Sequence, residues 1–277
     1  MFMKTPRISA SSYSNTAPLV WSFLYGQNHG KVEIILDNAP ARSAELLSED
    51  RVDAALVPVI ASQMIDGVRL IPDVCVGAKK RVRSVCLVTK GTDLKDVRSV
   101  ALDVSSKTSV VLTKIIFREF LGFEPAWKDE TPDLDAMLAG SDAALLIGDP
   151  ALSIAECGMR NAESSLIPHP SSIRVFDLAE LWHEHTGLGF VFAMWMTRRE
   201  SCEINFASAR DEGLAHADDI AANYASEIGL SRDDMKTYLT ESISYSIDDS
   251  MRRGMELYFE LSAENGLIDV NRPLVFV

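Results

Sequence analysis

Hydrophobic residues in the first half of the chain fall into short continuous runs, and the segments between these runs carry apolar residues at every third or fourth position. The runs predict buried strands, and the three- to four-residue spacing predicts amphipathic helices. Strands that alternate with helices are typical of βαβ units and of a largely parallel sheet. The pattern therefore predicts an α/β fold.

The predicted elements can be assigned to residues. The predicted strands are Arg7–Ser11, Val32–Leu36, Ala54–Pro58, Val85–Thr89, Ser99–Asp103, Ala143–Ile147 and, later in the chain, Phe190–Met196. The predicted helices of the first half are Ala17–Tyr25, Ala41–Ser48 and Thr108–Leu121, with Gly26 and Gly122 as helix-ending residues. Beyond Arg198 the pattern is helical, through Asn205–Ile228 and Arg232–Asn265.

Two polar stretches, Lys90–Asp96 and Met194–Arg199, indicate where the chain passes between domains. If both are crossings, a lobe of residues 93–193 is inserted into a lobe made of residues 1–92 and 194–277. A chain of 277 residues is long enough for two domains of moderate size.

The charge balance excludes two classes of partner. The chain has 27 basic and 40 acidic residues, a net charge of −13, so it lacks the positive field that attracts nucleic acid or anionic membrane surfaces. Much of this charge lies at the helical end, where 14 acidic residues stand against 6 basic ones from position 210 onward. We find neither a signal-peptide pattern nor an apolar run of about 18 residues, so we expect a cytoplasmic location.

The sequence contains no motif that supports a metal site or redox chemistry. The four cysteines, Cys75, Cys86, Cys157 and Cys202, are scattered and form no C-x-x-C pair. His183 and His185 are two positions apart on a predicted helix, where side chains do not share a face.

Two segments in which a strand leads into a turn rich in hydroxyl groups, and then into a helix, are the most informative feature. The first carries Asn15 and Thr16 before Pro18, and the second is Ser105–Ser109 (SSKTS). Such residues are ordinary N-caps, but two of these turns favour a cleft that binds carboxylates, because free N–H groups at a helix start attract negative charge. Neither turn has a glycine-rich phosphate motif.

Two further segments contain candidate polar residues. Asp149, which follows Gly148 at a strand end, is either a helix N-cap or a carboxylate that faces the same cleft. The run Lys79–Arg83 most often means an exposed loop, although strand-like alternation would place Arg83 and Ser84 on opposite sides beside a cleft.

Asn15 and Thr16 belong to the stretch Ser12–Leu19 (SYSNTAPL), which resembles the S-Y-L-N-T-x-P-L opening of the chorismate dehydratase (MqnA) family of the futalosine route to menaquinone. Further matches follow in family order over about residues 7–195: VDAALVP at 52–58, VRSV at 82–85, LDVSSKTS at 102–109, LLIGD at 145–149 and TGLGFVFA at 186–193. The sister family of 1,4-dihydroxy-6-naphthoate synthases opens with a Pro-Asn-Asp-Thr type of motif, so the resemblance favours the dehydratase.

The resemblance implies a two-lobed α/β fold similar to type II periplasmic binding proteins, with the ligand cleft between the lobes. It also implies a hydro-lyase that removes water from chorismate, a small dicarboxylate, to give 3-(1-carboxyvinyloxy)benzoate without a metal or organic cofactor. Three positions depart from the family: Ser14 replaces the usual Leu, Lys107 the usual Arg and Gly189 the usual Pro. Lys107 keeps the positive charge but lacks the bidentate fork of Arg.

The resemblance, together with the two carboxylates of chorismate, implies roles for the residues at the strand ends. The expected catalytic residues are Asn15, Ser84 and Asp149. The expected substrate-binding residues are Ser12, Thr16, Arg83, Ser105, Ser106, Lys107, Thr108, Ser109 and Gly148. The neutral amide of Asn15 is a poor proton acceptor, so the base is either Asp149 or the substrate's own side-chain carboxylate.

Three other functions would use the same fold. They are a protein that binds small carboxylates without catalysis, the effector-sensing module of a transcription regulator, and the sister synthase. The lack of an export signal counts against the first, and the lack of a DNA-binding helix pair counts against the second. No feature of the sequence indicates the oligomeric state.

Overall fold

The structure, a computed structural model, describes residues 5–155 and 173–277. Its strands are Arg7–Ser11 (β1), Glu33–Asp37 (β2), Ala54–Pro58 (β3), Arg69–Ala78 (β4), Val85–Thr89 (β5), Ser99–Asp103 (β6), Ala126–Glu130 (β7), Ala143–Ile147 (β8), Arg174–Asp177 (β9) and Phe190–Thr197 (β10). Of the sequence's cysteines, Cys157 lies outside the described residues.

The described helices are Ala17–Leu24 (α1), Pro40–Ser48 (α2), Ala61–Met64 (α3), Lys107–Ile115 (α4), Leu134–Gly140 (α5), 148–155 (α6, as far as it is described), Leu178–Thr186 (α7), Phe206–Ala215 (α8), Ala217–Ile228 (α9), Arg232–Thr237 (α10) and Asp249–Glu264 (α11). Short 3-10 turns occupy Ser14–Thr16 and Leu94–Asp96, and π-helical turns at Ile116–Phe120 and Tyr238–Ser242 extend α4 and α10. No helix within the described ranges is both long and apolar enough to cross a membrane.

Two five-stranded sheets with the same plan form the two lobes. The first has the order β2-β1-β3-β10-β4 and the second the order β7-β6-β8-β5-β9. In each sheet three parallel strands adjoin a strand that runs antiparallel to both of its neighbours. The α/β class is confirmed, and the largely parallel sheet becomes two mixed sheets.

Burial explains which strands the sequence identifies. Every residue of β3, β5 and β8 is buried, which matches their continuous apolar runs and is typical of strands covered on both faces. The edge strand β7 is mostly exposed and carries charged side chains, so its sequence gives no strand pattern. Strand β4 escapes prediction because Pro72 and Asp73 interrupt its apolar residues, and Asp73 has a φ of 63°.

The strand pairing places the crossings between the sheets earlier than the sequence suggested. The chain leaves the first sheet after β4 and returns at the start of β10, so residues 79–84 and 187–189 connect the two sheets. Strand β5, which the sequence prediction places in the first lobe with residues 1–92, pairs with β8 and β9 in the second sheet. The stretch Lys90–Asp96 instead joins β5 to β6 within that sheet.

The acidic helical tail packs against both lobes. Helix α11 covers β10 of the first sheet and contacts α4 of the second. The buried Tyr258 on α11 donates its hydroxyl to the carbonyl oxygen of Thr108 at 3.1 Å, and Arg118 Nη1 donates to the carbonyl of Asn265 at 2.9 Å. The tail therefore joins the lobes beside the cleft between them.

Candidate functional site

A cavity between the lobes lies at the carboxyl ends of β1, β3, β6 and β8, which is the usual ligand position in open α/β sheets. It is narrow, since the centre of a water-sized sphere can reach only about 60 Å³ of it. Its lining residues are Ser11, Tyr13, Asn15, Thr16, Pro40, Leu56, Pro58, Val76, Val85, Ser106, Thr108, Ser109, Ile147, Gly148, Phe192 and Ala193.

The first turn presents Asn15 to the cavity. Ser14–Thr16 form a 3-10 turn between β1 and α1, and no side chain caps either helical segment. Thr16 Oγ1 instead donates to the carbonyl oxygens of Ser11 at 2.6 Å and Tyr13 at 2.8 Å. Thr16 thus holds the turn in shape, and the amide of Asn15 remains available at the cavity wall.

The second turn presents the start of α4. Ser106 is its N-cap, because Ser106 Oγ accepts a hydrogen bond from the backbone N–H of Ser109 at 3.4 Å. Thr108 Oγ1 accepts from the backbone N–H of Ile60 at 3.3 Å, which joins this turn to the other lobe. Ser106, Thr108 and Ser109 all line the cavity, so hydroxyl groups and a helix N-terminus face Asn15 across it.

Two residues of the second turn, Ser105 and Lys107, do not line the cavity. Ser105 Oγ donates to Asp103 Oδ1 at 2.6 Å, and the backbone N–H of Ser105 donates to the same oxygen at 2.8 Å. Burial raises the pKa of Asp103, a residue that our sequence reasoning did not select. The side chain of Lys107 is exposed and does not line the cavity.

At the third strand end, Asp149 connects the two lobes. The backbone N–H of Ser14 donates to both carboxylate oxygens of Asp149 at 3.1 Å, and the Ser14 hydroxyl donates to Oδ1. Burial raises the pKa of Asp149, while the hydrogen bonds from Ser14 oppose that rise. The family's usual Leu at position 14 would keep the two backbone hydrogen bonds to Asp149 but could not make the hydroxyl contact.

Gly148 makes the close approach of Tyr13 possible. Gly148 has a φ of 65°, and a Cβ there would lie 2.7 Å from ring atoms of Tyr13. Burial and the nearby Asp103 raise the pKa of Tyr13 to about 12, so its hydroxyl stays protonated at neutral pH. Tyr13 lies within the matched motif, but the sequence alone gave no reason to choose its side chain.

Asp177 fixes the turn that carries Arg83 and Ser84. Asp177 Oδ2 accepts from the backbone N–H groups of Val82 at 3.0 Å and Arg83 at 2.6 Å, and Asp177 Oδ1 caps α7. Arg83 has a φ of 64°, which is unusual for a side chain of its size and typical of residues held in place at functional sites. Ser84 is fully buried, and its carbonyl accepts from the backbone N–H of Gly148 at 2.8 Å.

The structure brings most of the expected site residues together. Those that line the cavity are Asn15, Thr16, Ser106, Thr108, Ser109 and Gly148. Arg83, Ser84 and Asp149 lie next to these residues without lining the cavity themselves. Ser12 does not line it, and its hydroxyl donates to Asn38 Oδ1 at 2.8 Å.

Comparison with known proteins identifies relatives along nearly the whole chain. Residues 6–264 match the menaquinone biosynthesis family. A chorismate dehydratase of Thermus thermophilus is 31% identical over 259 residues, which cover 90% of this chain and 92% of that protein.

Solved structures share the fold at low sequence identity. A protein of Archaeoglobus fulgidus aligns over 97% of this chain and 100% of its own, with a TM-score of 0.70 and 15% identity. The periplasmic aliphatic sulphonate binding protein of Escherichia coli aligns over 98% of this chain and 93% of its own, with a TM-score of 0.62 and 18% identity. The two-lobed fold similar to periplasmic binding proteins is therefore confirmed.

Proposed function

The chain belongs to the menaquinone biosynthesis family, and from this membership we propose that it is a chorismate dehydratase. The reaction is the loss of water from chorismate to give 3-(1-carboxyvinyloxy)benzoate, as a hydro-lyase would catalyse it. The observation that carries the proposal is the cavity between the lobes, in which Asn15 faces the hydroxyl-rich start of α4. The cavity thus offers hydrogen-bond donors on two sides to a ligand with two carboxylates.

The start of α4 supports a role in binding the ring carboxylate. Its free backbone N–H groups and the hydroxyls of Thr108 and Ser109 are donors that favour negative charge. The proton that leaves chorismate is conjugated to this carboxylate through a double bond, so negative charge grows on the carboxylate as the C–H bond breaks. Donors already in place stabilise that charge in the transition state. The neighbouring C–O bond then breaks, the leaving hydroxide takes up the proton held by the base to form water, and the ring becomes aromatic.

The hydrogen bonds of Asp149 favour the substrate's own side-chain carboxylate as the base. Both oxygens of Asp149 accept from Ser14, and Asp149 does not line the cavity. We assign Asp149 a positioning role, in which it holds the turn that carries Asn15. The neutral amide of Asn15 then orients the reacting region by hydrogen bonds.

The assay mixes purified protein with chorismate, follows loss of the diene chromophore, and identifies the product by mass spectrometry. We expect Asn15→Ala and Ser84→Ala each to lower turnover by tens-fold or more, because Asn15 lines the cavity and Ser84 lies directly behind the lining residues. Asn271→Ala and Ser201→Ala make the same changes at exposed positions and should keep wild-type turnover.

Other outcomes separate the remaining functions. Chorismate that binds but stays unchanged would indicate a carboxylate-binding protein. Chorismate that neither binds nor reacts would direct attention to the sister reaction. Near-normal turnover in both cavity variants would remove Asn15 and Ser84 from the site.

A further inference from the structure

Tyr238 comes from a part of the chain that carries none of the family motifs, yet it reaches the site. It begins the π-helical turn Tyr238–Ser242 that follows α10 in the acidic tail. Its side chain is completely buried, and its hydroxyl has no hydrogen-bond partner among the described residues. The guanidinium of Arg83 lies 5.7 Å from the centre of its ring, within the range of a cation–π contact.

The polar side chains next to the Tyr238 hydroxyl are those of Ser84 and Asn15. Burial raises the pKa of Tyr238 above its ordinary value, and Ser84 and Asn15, which lie near its hydroxyl but outside hydrogen-bond distance, oppose that rise. The hydroxyl therefore keeps its proton at neutral pH and can both donate and accept. One of its two neighbours, Asn15, lines the cavity.

Among the residues that the structure describes, this cluster uses little of its hydrogen-bonding capacity. Within that part of the chain, Ser84 Oγ makes only a long contact of 3.5 Å with the carbonyl oxygen of Val82. A buried hydroxyl without a partner costs about 1–3 kcal/mol, so a native fold that keeps one calls for an explanation. The arrangement is explained if the three groups act together on a molecule in the cavity.

We propose that Tyr238 is a positioning residue of the site, whose hydroxyl orients the Asn15 amide and the Ser84 hydroxyl towards the substrate. This inference rests on the proposed dehydratase function. Tyr238 acts through Asn15 and Ser84, since it does not itself line the cavity. The acidic tail then supplies part of the catalytic site as well as a surface that packs against both lobes.

Tyr245 provides a matched control in the same segment. It is also buried, and its hydroxyl also has no partner within the described part of the chain. Burial raises the pKa of Tyr245, and its neighbours Tyr238 and Cys75, neither of which lines the cavity, add to that rise. Tyr245→Phe therefore removes a buried phenol oxygen without touching a group that faces the substrate.

The experiment compares Tyr238→Phe with Tyr245→Phe in the full chain, measuring kcat, KM for chorismate and Tm. We expect Tyr238→Phe to lower kcat about tenfold or more, with KM within about threefold of wild type and Tm close to that of Tyr245→Phe. Tyr245→Phe should keep the wild-type kcat. A purely structural role would instead change Tm without a selective loss of kcat.

A double variant tests the route through Asn15. If Tyr238 acts by orienting Asn15, adding Tyr238→Phe to Asn15→Ala should lower kcat by much less than it does in the wild-type chain. Two results would overturn the inference: equal kcat values for Tyr238→Phe and Tyr245→Phe, or kcat losses that multiply fully in the double variant. Neither result would affect the proposed dehydratase function, provided that the wild-type protein turns over chorismate. Wild-type protein that leaves chorismate unchanged would overturn both.

Discussion

At the scale of single residues, our proposal gives Asp149 a positioning role, in which its side chain serves the site without reacting. Its carboxylate lies in one lobe and accepts hydrogen bonds from Ser14 in the other. Ser14 directly precedes Asn15, so a change at Asp149 is transmitted to the amide at the cavity wall. A positioning role and a base role predict different results for two substitutions at this position.

We expect Asp149→Asn to keep kcat within about tenfold of wild type, since the amide oxygen still accepts from Ser14. Asp149→Ala removes both acceptors and should lower kcat further, by about tenfold again. Steady-state turnover of chorismate by the purified variants measures both effects. Equal and near-complete loss in the two variants would show that Asp149 takes the proton.

A second carboxylate, Asp177, predicts a specific dependence of stability on pH. Burial raises its pKa to about 6, above the value of about 3.9 in an unfolded chain. The folded protein therefore binds this proton more tightly than the unfolded chain. The stabilisation is complete below the unfolded pKa and is lost as the pH rises through 6.

Between pH 5 and pH 7.5, we expect the unfolding free energy of wild type to fall by about 1 kcal/mol relative to that of Asp177→Asn, which cannot titrate. Urea unfolding of both proteins at the two pH values measures this difference. The comparison cancels the other acidic groups, because both chains share them. Parallel pH profiles would mean that the pKa of Asp177 is not raised.

Sequence reasoning found some of these residues and missed others for physical reasons. Asn15 and Ser106 follow strands directly, so the order of elements alone places them at one edge of a sheet. Tyr238 reaches the same site from more than 200 positions further along the chain than Asn15, through packing that no local pattern encodes. Asp177 looks like an ordinary helix cap in the sequence, and only the fold shows that its second oxygen holds the turn at Arg83.

At the scale of elements, the contact between α11 and the segment 187–189 determines how the acidic tail packs against the lobes. A Cβ on Gly254 of α11 would lie 1.9 Å from the carbonyl oxygen of Gly189. The backbone N–H of Gly189 donates to Ser250 Oγ at 3.1 Å. The departure from the family's usual Pro at position 189 therefore has a structural use, because a proline has no N–H to donate.

We expect Gly189→Pro to destabilise the protein by about 3 kcal/mol or more, through loss of this hydrogen bond and through contact with Met251, which a Cβ would approach to 2.6 Å. Gly140→Ala is the control, since its new Cβ would meet only the flexible end of Lys128. Urea midpoints of the two variants give the comparison. A Gly189→Pro variant as stable as Gly140→Ala would show that the helix can shift to accept the ring.

The order of strands within the sheets could not be predicted from the sequence, because it also depends on contacts between distant parts of the chain. The buried runs of β3 and β8 identify central strands wherever they occur. The partner of β5, however, depends on where the chain crosses between lobes, and no linker-like composition marks residues 79–84. The two sheets share one strand plan without an evident sequence repeat, so the plan became visible only in three dimensions.

At the scale of the whole molecule, the protein has a strongly acidic exterior, although its cavity is proposed to bind a dianion. The net charge is −13, and the tail that contributes much of it packs beside the cleft. The long-range field therefore repels the proposed substrate, while helix N–H groups and hydroxyls attract it at short range. Salt screens the long-range repulsion far more than the short-range attraction, because the Debye length is about 10 Å at 0.1 M ionic strength.

Raising NaCl from 10 to 150 mM should therefore increase kcat/KM for chorismate by about two- to threefold, with kcat unchanged, since association is what the acidic field slows. The double variant Glu256→Gln and Glu260→Gln, at exposed positions of α11, should begin from a higher kcat/KM at low salt and show a smaller increase. Steady-state kinetics across the salt series measure how kcat/KM changes with NaCl in the wild-type protein and in the double variant. If kcat/KM fell with salt instead, the field at the cleft would be positive, and local cations such as Arg83 would outweigh the acidic surface in drawing the substrate in.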